Sequence, residues 1–204
     1  LSQGLFDAVF DFAFADLVES FLNGRMRTVA FAHHLTRRNT PAIGQYVHYL
    51  NTHDTATFLS RLDDPTAYPA ALALLLTSSG IPLLYYGDEL GRRGGEWPMN
   101  RPDMNWSALD NPEQTPFQLV QELIALRRAH PALSRGSLEV LQATDDLIVM
   151  ARETAGERLV IALNRGDSPT WLDCGACSVL FCHSCEPRAA TLSLEPFGVA
   201  VFTR

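Results

Sequence analysis

Apolar and polar positions along the chain change their rhythm once, near residue 134. Before it, short apolar runs alternate with longer segments of helical period. Residues 5–14 (Leu-Phe-Asp-Ala-Val-Phe-Asp-Phe-Ala-Phe) are aromatic and partly alternating, which predicts a strand. A short helix over 16–21 ends at Asn23-Gly24, and a longer one covers 27–35 before a turn at Asn39-Thr40-Pro41. Tyr46-Val47-His48-Tyr49-Leu50 predicts a second strand, followed by helical segments at 57–62 and 65–78. Residues 80–86 are almost continuously apolar, the pattern of a parallel strand buried on both faces. A long loop at 91–115 is rich in Gly, Pro, Asn and Trp; loops of that length are functional or disordered, and the Trp and Met content argues against disorder. An amphipathic helix over 116–129 carries Phe117, Val120, Leu123, Ile124 and Leu126 on its apolar side, and His130-Pro131 stops it. Alternating strands and helices predict an α/β fold with a parallel sheet and right-handed crossovers. Short strands then follow at 137–143, 147–153, 159–163, 179–182, 191–194 and 199–202, with turns at 154–157 and 164–167. That spacing predicts an antiparallel β-sandwich. The expected division is therefore an α/β part over 1–133 and a β domain over 134–204.

Two of the predicted strands end abruptly in polar clusters: Asn51-Thr52-His53-Asp54-Thr55 after the second, and Gly87-Asp88-Glu89 after the third. A buried strand of this kind delivers the side chains just past its C-terminal end to a functional rim. His53 and Asp54 are the leading candidates. The plainer alternative has Asp54 or Thr55 cap the next helix, with His53 an ordinary loop residue. His33 and His34 lack any partner spacing for a metal and are expected at the surface.

Composition narrows the partners. The chain has 204 residues, 47% hydrophobic and 19% charged, enough for one sizeable core or two small ones. A net charge of −7 and a pI near 5.3 offer no basic face for nucleic acid or an anionic membrane, so a neutral or cationic partner is expected. The longest apolar run, 70–76, is far too short to span a bilayer. No secretory signal is present and a cytoplasmic setting is the expectation, although the chain starts at Leu1, without a Met. Cys174, Cys177, Cys182 and Cys185 fall within twelve residues as two C-x-x-C pairs. Four thiolates can close a zinc tetrahedron, but the four-residue linker is short for a zinc ribbon, and small buried cysteines in a hairpin are the default reading.

In their order, these pieces resemble the C-terminal half of the α-amylase family (glycoside hydrolase family 13), nearest its cyclomaltodextrinase, neopullulanase and maltogenic amylase group. Tyr49-Leu50-Asn51-Thr52-His53-Asp54 is similar to the family's seventh-strand motif, with Thr52 a mild departure. The run from Gly80 to Gly91 resembles the eighth-strand motif almost residue for residue, and Phe6-Asp7-Ala8-Val9 the sixth. Arg101-Pro102-Asp103-Met104-Asn105-Trp106 resembles a family loop, and the run from Leu126 to Leu133 the end of the last barrel helix.

The resemblance implies strands six to eight of a TIM (β/α)8 barrel, followed by a β-sandwich. A barrel needs eight strands over roughly 250 residues. Three are present, so the chain reads as a fragment whose missing N-terminal half carries strands one to five; alone, it would leave sheet edges open. Retaining glycosidases need a nucleophilic carboxylate and a proton donor about 5–5.5 Å apart. The family carries both after strands four and five, and neither is assigned to this chain. By resemblance, Asp54 binds sugar hydroxyls at the cleavage subsite, favours the distorted transition-state ring and raises the pKa of the proton donor. His53 binds the same sugar and Arg101 a more distant one. Trp97, standing where relatives have an aspartate, stacks on a sugar face instead. Asp88 and Glu89 order the rim. No cofactor and no metal are expected, since the family's structural calcium takes its ligands from the absent half. The expected substrates are α-1,4-glucans such as maltodextrins, cyclodextrins, pullulan or starch, with the isolated chain inactive and a homodimer allowed for. The alternatives are a non-catalytic carbohydrate-binding or remnant protein, and a family transglycosylase or isomerase.

Overall fold

The computed structural model describes residues 6–38 and 45–203. The turn expected at Asn39-Thr40-Pro41 lies outside these residues, as does Leu5 at the start of the first expected strand. Three short strands, β1 (Ala8–Phe10), β2 (Gln45–Tyr49) and β3 (Ile81–Leu83), form a parallel sheet in that order. The first crossover holds helices α1 (Phe14–Leu22) and α2 (Thr28–Arg38); the second holds α3 (Phe58–Arg61) and α4 (Tyr68–Thr77).

The first strand is much shorter than its apolar run. Past β1 the Asp11 carboxylate accepts the amide of Ala13 at 3.2 Å, a local turn that sets Phe14 into α1 instead of extending the strand. Asp11 is itself held by Arg38 of α2 and lies 3.3 Å from the His48 ring of β2. Burial and these two partners together leave its pKa lowered to about 2, with the hydrogen bonds outweighing desolvation.

Residues paired directly across a sheet share a face. Phe10, Val47 and Ile81 are one such row, and Tyr49 with Leu83 continues it. His48 points to the other side, 2% exposed, with its ring 4.3 Å from that of Phe14 in α1. The helices cover that side only. On the opposite face Phe10 is 52% and Ile81 40% exposed, so the third strand is not buried on both faces as its sequence suggests. In a barrel that inner face is covered by inward side chains of other strands, which three strands do not supply. Gly80 leads into β3 at φ +87°; a Cβ there would sit 2.5 Å from the Tyr46 carbonyl oxygen, so only glycine lets β3 lie against β2 at this point.

The β part consists of β4 (Ser137–Ala143), β5 (Leu147–Thr154), β6 (Glu157–Asn164), β7 (Thr170–Asp173), β8 (Ser178–Arg188) and β9 (Thr191–Thr203). They make one antiparallel sheet, β4-β5-β6-β9-β7, with β8 also on β9. The first half of β9 pairs β7, its second half pairs β6, and β8 runs along both. The expected sandwich is thus a single sheet curled over at β9, whose bend is marked by Phe197 at φ 55°. Two expected strands, 191–194 and 199–202, are one bent strand, and β7 was not foreseen. Alternation along β5 and β6 feeds two cores. Ile148, Met150, Leu159 and Ile161 join the helices, while Leu147, Val149, Val160 and Ala162 meet Leu172, Leu192, Leu194 and Phe202 inside the curl.

Helix α5 (Phe117–Ala129) and a further short helix, α6 (Pro131–Arg135), which the stop at His130-Pro131 did not suggest, join the two parts. Helix α4 is buried nearly all round because α1, α5 and β9 surround it. The cysteines do not converge. Cys182 and Cys185 form a disulfide, Cys174 and Cys177 lie with sulfurs 2.8 Å apart, and among the described residues no group of three or more His, Cys, Asp or Glu could hold a metal. Only Cys174 of the four is buried, so the default reading of small buried cysteines holds for it alone. No helix among the described residues is long and apolar enough to cross a membrane.

Candidate active site

The C-terminal ends of β2 and β3 lie on one rim, and three segments meet there: residues 51–57, 85–90 and the loop 91–115. Beyond β2 the chain makes a tight turn. The amide of Thr52 donates to Oγ1 of Thr55 at 3.2 Å, and the amide of Asp54 donates to Oγ1 of Thr52 at 3.2 Å. Asp54 stands at the tip, its side chain 71% exposed, with His53 Nε2 3.3 Å from its Oδ1. Arg101 reaches in from the loop. Its Nε donates to the His53 carbonyl at 2.9 Å, and Nη2 lies 3.3 Å from the same Asp54 oxygen. An imidazole, a carboxylate and a guanidinium thus share one solvent-facing point. Three candidates come together: His53, Asp54 and Arg101. The resemblance put Arg101 on a more distant sugar; here its guanidinium touches Asp54 itself. Trp97 lies on the same loop, 68% exposed, its indole available for stacking.

Neither Asp54 nor Thr55 caps the following helix. The amide of Phe58, first residue of α3, is taken by Oδ1 of Asn51 at 2.5 Å. Nδ2 of Asn51 in turn donates to Oδ1 of Asp88 at 2.6 Å, and Oδ2 of Asp88 accepts the amide of Tyr85 at 2.9 Å. Asn51 is 1% and Asp88 4% exposed. This buried amide–carboxylate pair ties the end of β2 to the end of β3, and Glu89 accepts the amide of Gly87 at 2.9 Å. Asp88 and Glu89 therefore order the rim, the role that the resemblance implied for them. Asn51 and Asn100, a buried side chain of the long loop, are rim residues that the sequence did not single out. Asn51 had a signal, a polar residue directly after an apolar strand; Asn100 had none.

Burial, opposed by the hydrogen bonds from Asn51 and Tyr85, pushes the Asp88 carboxyl from 3.8 up to about 7. The folded chain then holds a proton that the unfolded chain releases near pH 4. Stability contributed by Asp88 is full below that point, falls as pH rises toward 7, and levels beyond it. Asp88→Asn is expected to flatten that slope in denaturant-unfolding midpoints measured from pH 4 to 8. An unchanged slope would mean that other groups set it.

A cleft of about 680 Å³ lies elsewhere, between α4, α5 and β8, lined among others by Tyr68, Glu113, Glu122 and His183. It contains none of the four candidates. The rim of an open half-sheet encloses little volume, so cavity size is a poor guide to chemistry in this chain.

The α-amylase catalytic-domain profile (Alpha amylase, catalytic domain) matches residues 2–115. A cyclomaltodextrin glucanotransferase of Geobacillus stearothermophilus is 34% identical over 125 residues, covering 61% of this chain and 17% of that protein. A cyclomaltodextrinase of Geobacillus thermopakistaniensis is 31% identical over 170 residues, 79% of this chain and 29% of its own length. The solved cyclic α-maltosyl-(1→6)-maltose hydrolase of Arthrobacter globiformis superposes with a TM-score of 0.78 at 26% identity, over 97% of this chain and 45% of that one. The chain thus spans less than a third of these curated relatives and about half of the solved one. With the profile matching more than half of its residues, the chain belongs to the α-amylase family.

Proposed function

We propose that this chain supplies strands six to eight, the adjoining rim and the β domain of an enzyme that cleaves α-1,4-glucosidic bonds of maltodextrins, cyclodextrins, pullulan or starch with retention. The observation that carries this reading is the position of Asp54: at the tip of the turn past the middle strand, exposed, beside His53. In that role Asp54 binds hydroxyls of the sugar at the cleavage point and holds the ring toward the flattened, positively charged transition state. His53 binds the same sugar. Arg101 orients the Asp54 carboxylate, and Trp97 offers a stacking face to a neighbouring sugar. The nucleophile and proton donor come from the N-terminal half of the barrel, whose strands cover the open face of Phe10, Val47 and Ile81. Relatives bearing glucanotransferase and cyclomaltodextrinase names support a choice between transfer and hydrolysis on one scaffold, with subsite loops deciding it.

The test is activity with and without the missing half. The 204-residue chain alone is expected to release no glucose or maltose from maltodextrin, while the same chain joined to an upstream half-barrel turns it over. Sugar release by the isolated chain would show that the acids were misplaced. Glucan binding without turnover in both forms would favour the carbohydrate-binding alternative.

A further inference from the structure

We propose that Asn100 is the positioning residue that fixes the backbone on both sides of Asp54; this rests on the reading of Asp54 above. Asn100 is wholly buried, although its neighbours Met99 and Trp97 are 67% and 68% exposed. A primary amide is costly to bury unless it is hydrogen-bonded. Its Nδ2 donates to the His53 carbonyl at 2.7 Å and to the Thr55 carbonyl at 3.1 Å. Those two carbonyls bracket Asp54. Its Oδ1, equally buried, has no partner among the described residues. Both amide hydrogens are thus committed to one turn, the one that carries Asp54.

Asn100 is itself held in place. Its carbonyl accepts Nη2 of Arg92 at 3.2 Å. Gly94 packs against Met99 so closely that a Cβ would lie 2.5 Å from the Met99 carbonyl oxygen. Gly94 is bonded in turn to α3 and its cap, from its amide to Ser60 Oγ at 3.1 Å and from its carbonyl to the Thr57 amide at 3.1 Å. The loop is therefore anchored on one side of the turn and reaches across to grip it. Asp54 needs this grip because its exposed side chain has little packing to hold it. Its location relative to a sugar is set by the turn, with Arg101 adding a second donor to the His53 carbonyl. Misplacing a reacting group by about 1 Å can cost on the order of a hundredfold in rate.

The experiment uses the complete enzyme carrying this chain, with maltodextrin as substrate, and four variants: Asn100→Ala, Asn100→Asp, Asp54→Asn and the double variant Asp54→Asn/Asn100→Ala. Asn100→Asp keeps the size of the side chain but has at most one hydrogen to donate in place of two, so it serves if the alanine variant fails to fold. Either single change at position 100 is expected to lower kcat about a hundredfold with KM within about threefold. The double variant is expected to lose much less than the product of the two single losses, because Asn100 acts mainly through the turn that carries Asp54. Losses that multiply in the double variant would show a general structural role and overturn the proposal. So would normal kcat in the Asn100 variants beside a crippled Asp54→Asn, which leaves the reading of Asp54 intact. Normal kcat in Asp54→Asn would remove that reading and this proposal with it.

Discussion

Asp54→Asn in the complete enzyme is expected to lower kcat about a thousandfold, with KM for maltodextrin changed by less than about threefold. The two side chains have the same shape, so the substitution removes charge and little else. The neutral amide can still hydrogen-bond a sugar hydroxyl, which preserves binding of the ground state. It cannot stabilise positive charge building on the ring, which exists only in the transition state. The side chain is 71% exposed and takes part in no core packing, so the unfolding midpoint should stay where it is. That contrast between lost turnover and kept stability is the diagnostic. Full turnover in Asp54→Asn would remove Asp54 from the chemistry and, with it, the assignment of this rim. The Arg101 contact gives a second, smaller readout. With its guanidinium 3.3 Å from the carboxylate, Arg101→Ala should also lower kcat, because the Asp54 side chain loses one of its two neighbours.

How much of this was legible depended on how far apart the interacting residues lie in the chain. The rim after β2 could be read because one local pattern encodes it, an apolar strand followed at once by Asn, His and Asp. The helices could be read for the same reason, α4 most plainly through its unbroken apolar run. Asn100 was invisible because its partners lie 47 and 45 positions away and nothing in the loop's own pattern marks a buried amide. Strand β7 was missed because it has only four residues and its exposed Trp171, next to buried Leu172, hides the alternation in the sequence. Glu195-Pro196-Phe197-Gly198 reads as a turn between two strands, yet the chain absorbs it as a bend in one. The cysteines misled in a related way. Residues three apart normally point to opposite faces of a strand, but the register shift between His183 and Cys185, with Ser184 at φ 48°, brings Cys182 and Cys185 together.

Arg152→Met is expected to cost about 3 kcal/mol or more of unfolding free energy. Arg152 lies on β5 with 1% of its surface exposed, which is unusual for an arginine without a carboxylate beside it. Its guanidinium instead donates to three carbonyls: Nη1 to Thr77 at 2.6 Å, Nη2 to Gly136 at 2.8 Å and Nε to Ser137 at 3.2 Å. Thr77 closes α4, and the other two open the β domain, so one side chain joins the two halves of the molecule. A helix C-terminus carries unpaired carbonyls and partial negative charge, which a buried cation offsets. Arg127 serves the same helix end, donating to Leu76, Ser78 and Gly80. Burial first, and the neighbouring Arg127 second, lower the Arg152 pKa to about 9, so it stays charged at neutral pH. Methionine would roughly fill the space but leave three buried acceptors unmatched, each costing on the order of 1 kcal/mol or more. Arg152→Lys should recover only part of the loss, since an ammonium lacks the planar fork that reaches three oxygens at once. Urea unfolding of both variants, with the m-value monitored for the two halves separating, checks this. A methionine variant within about 1 kcal/mol of the parent would mean that the carbonyls find water and that the apolar core alone holds the β domain against the helices.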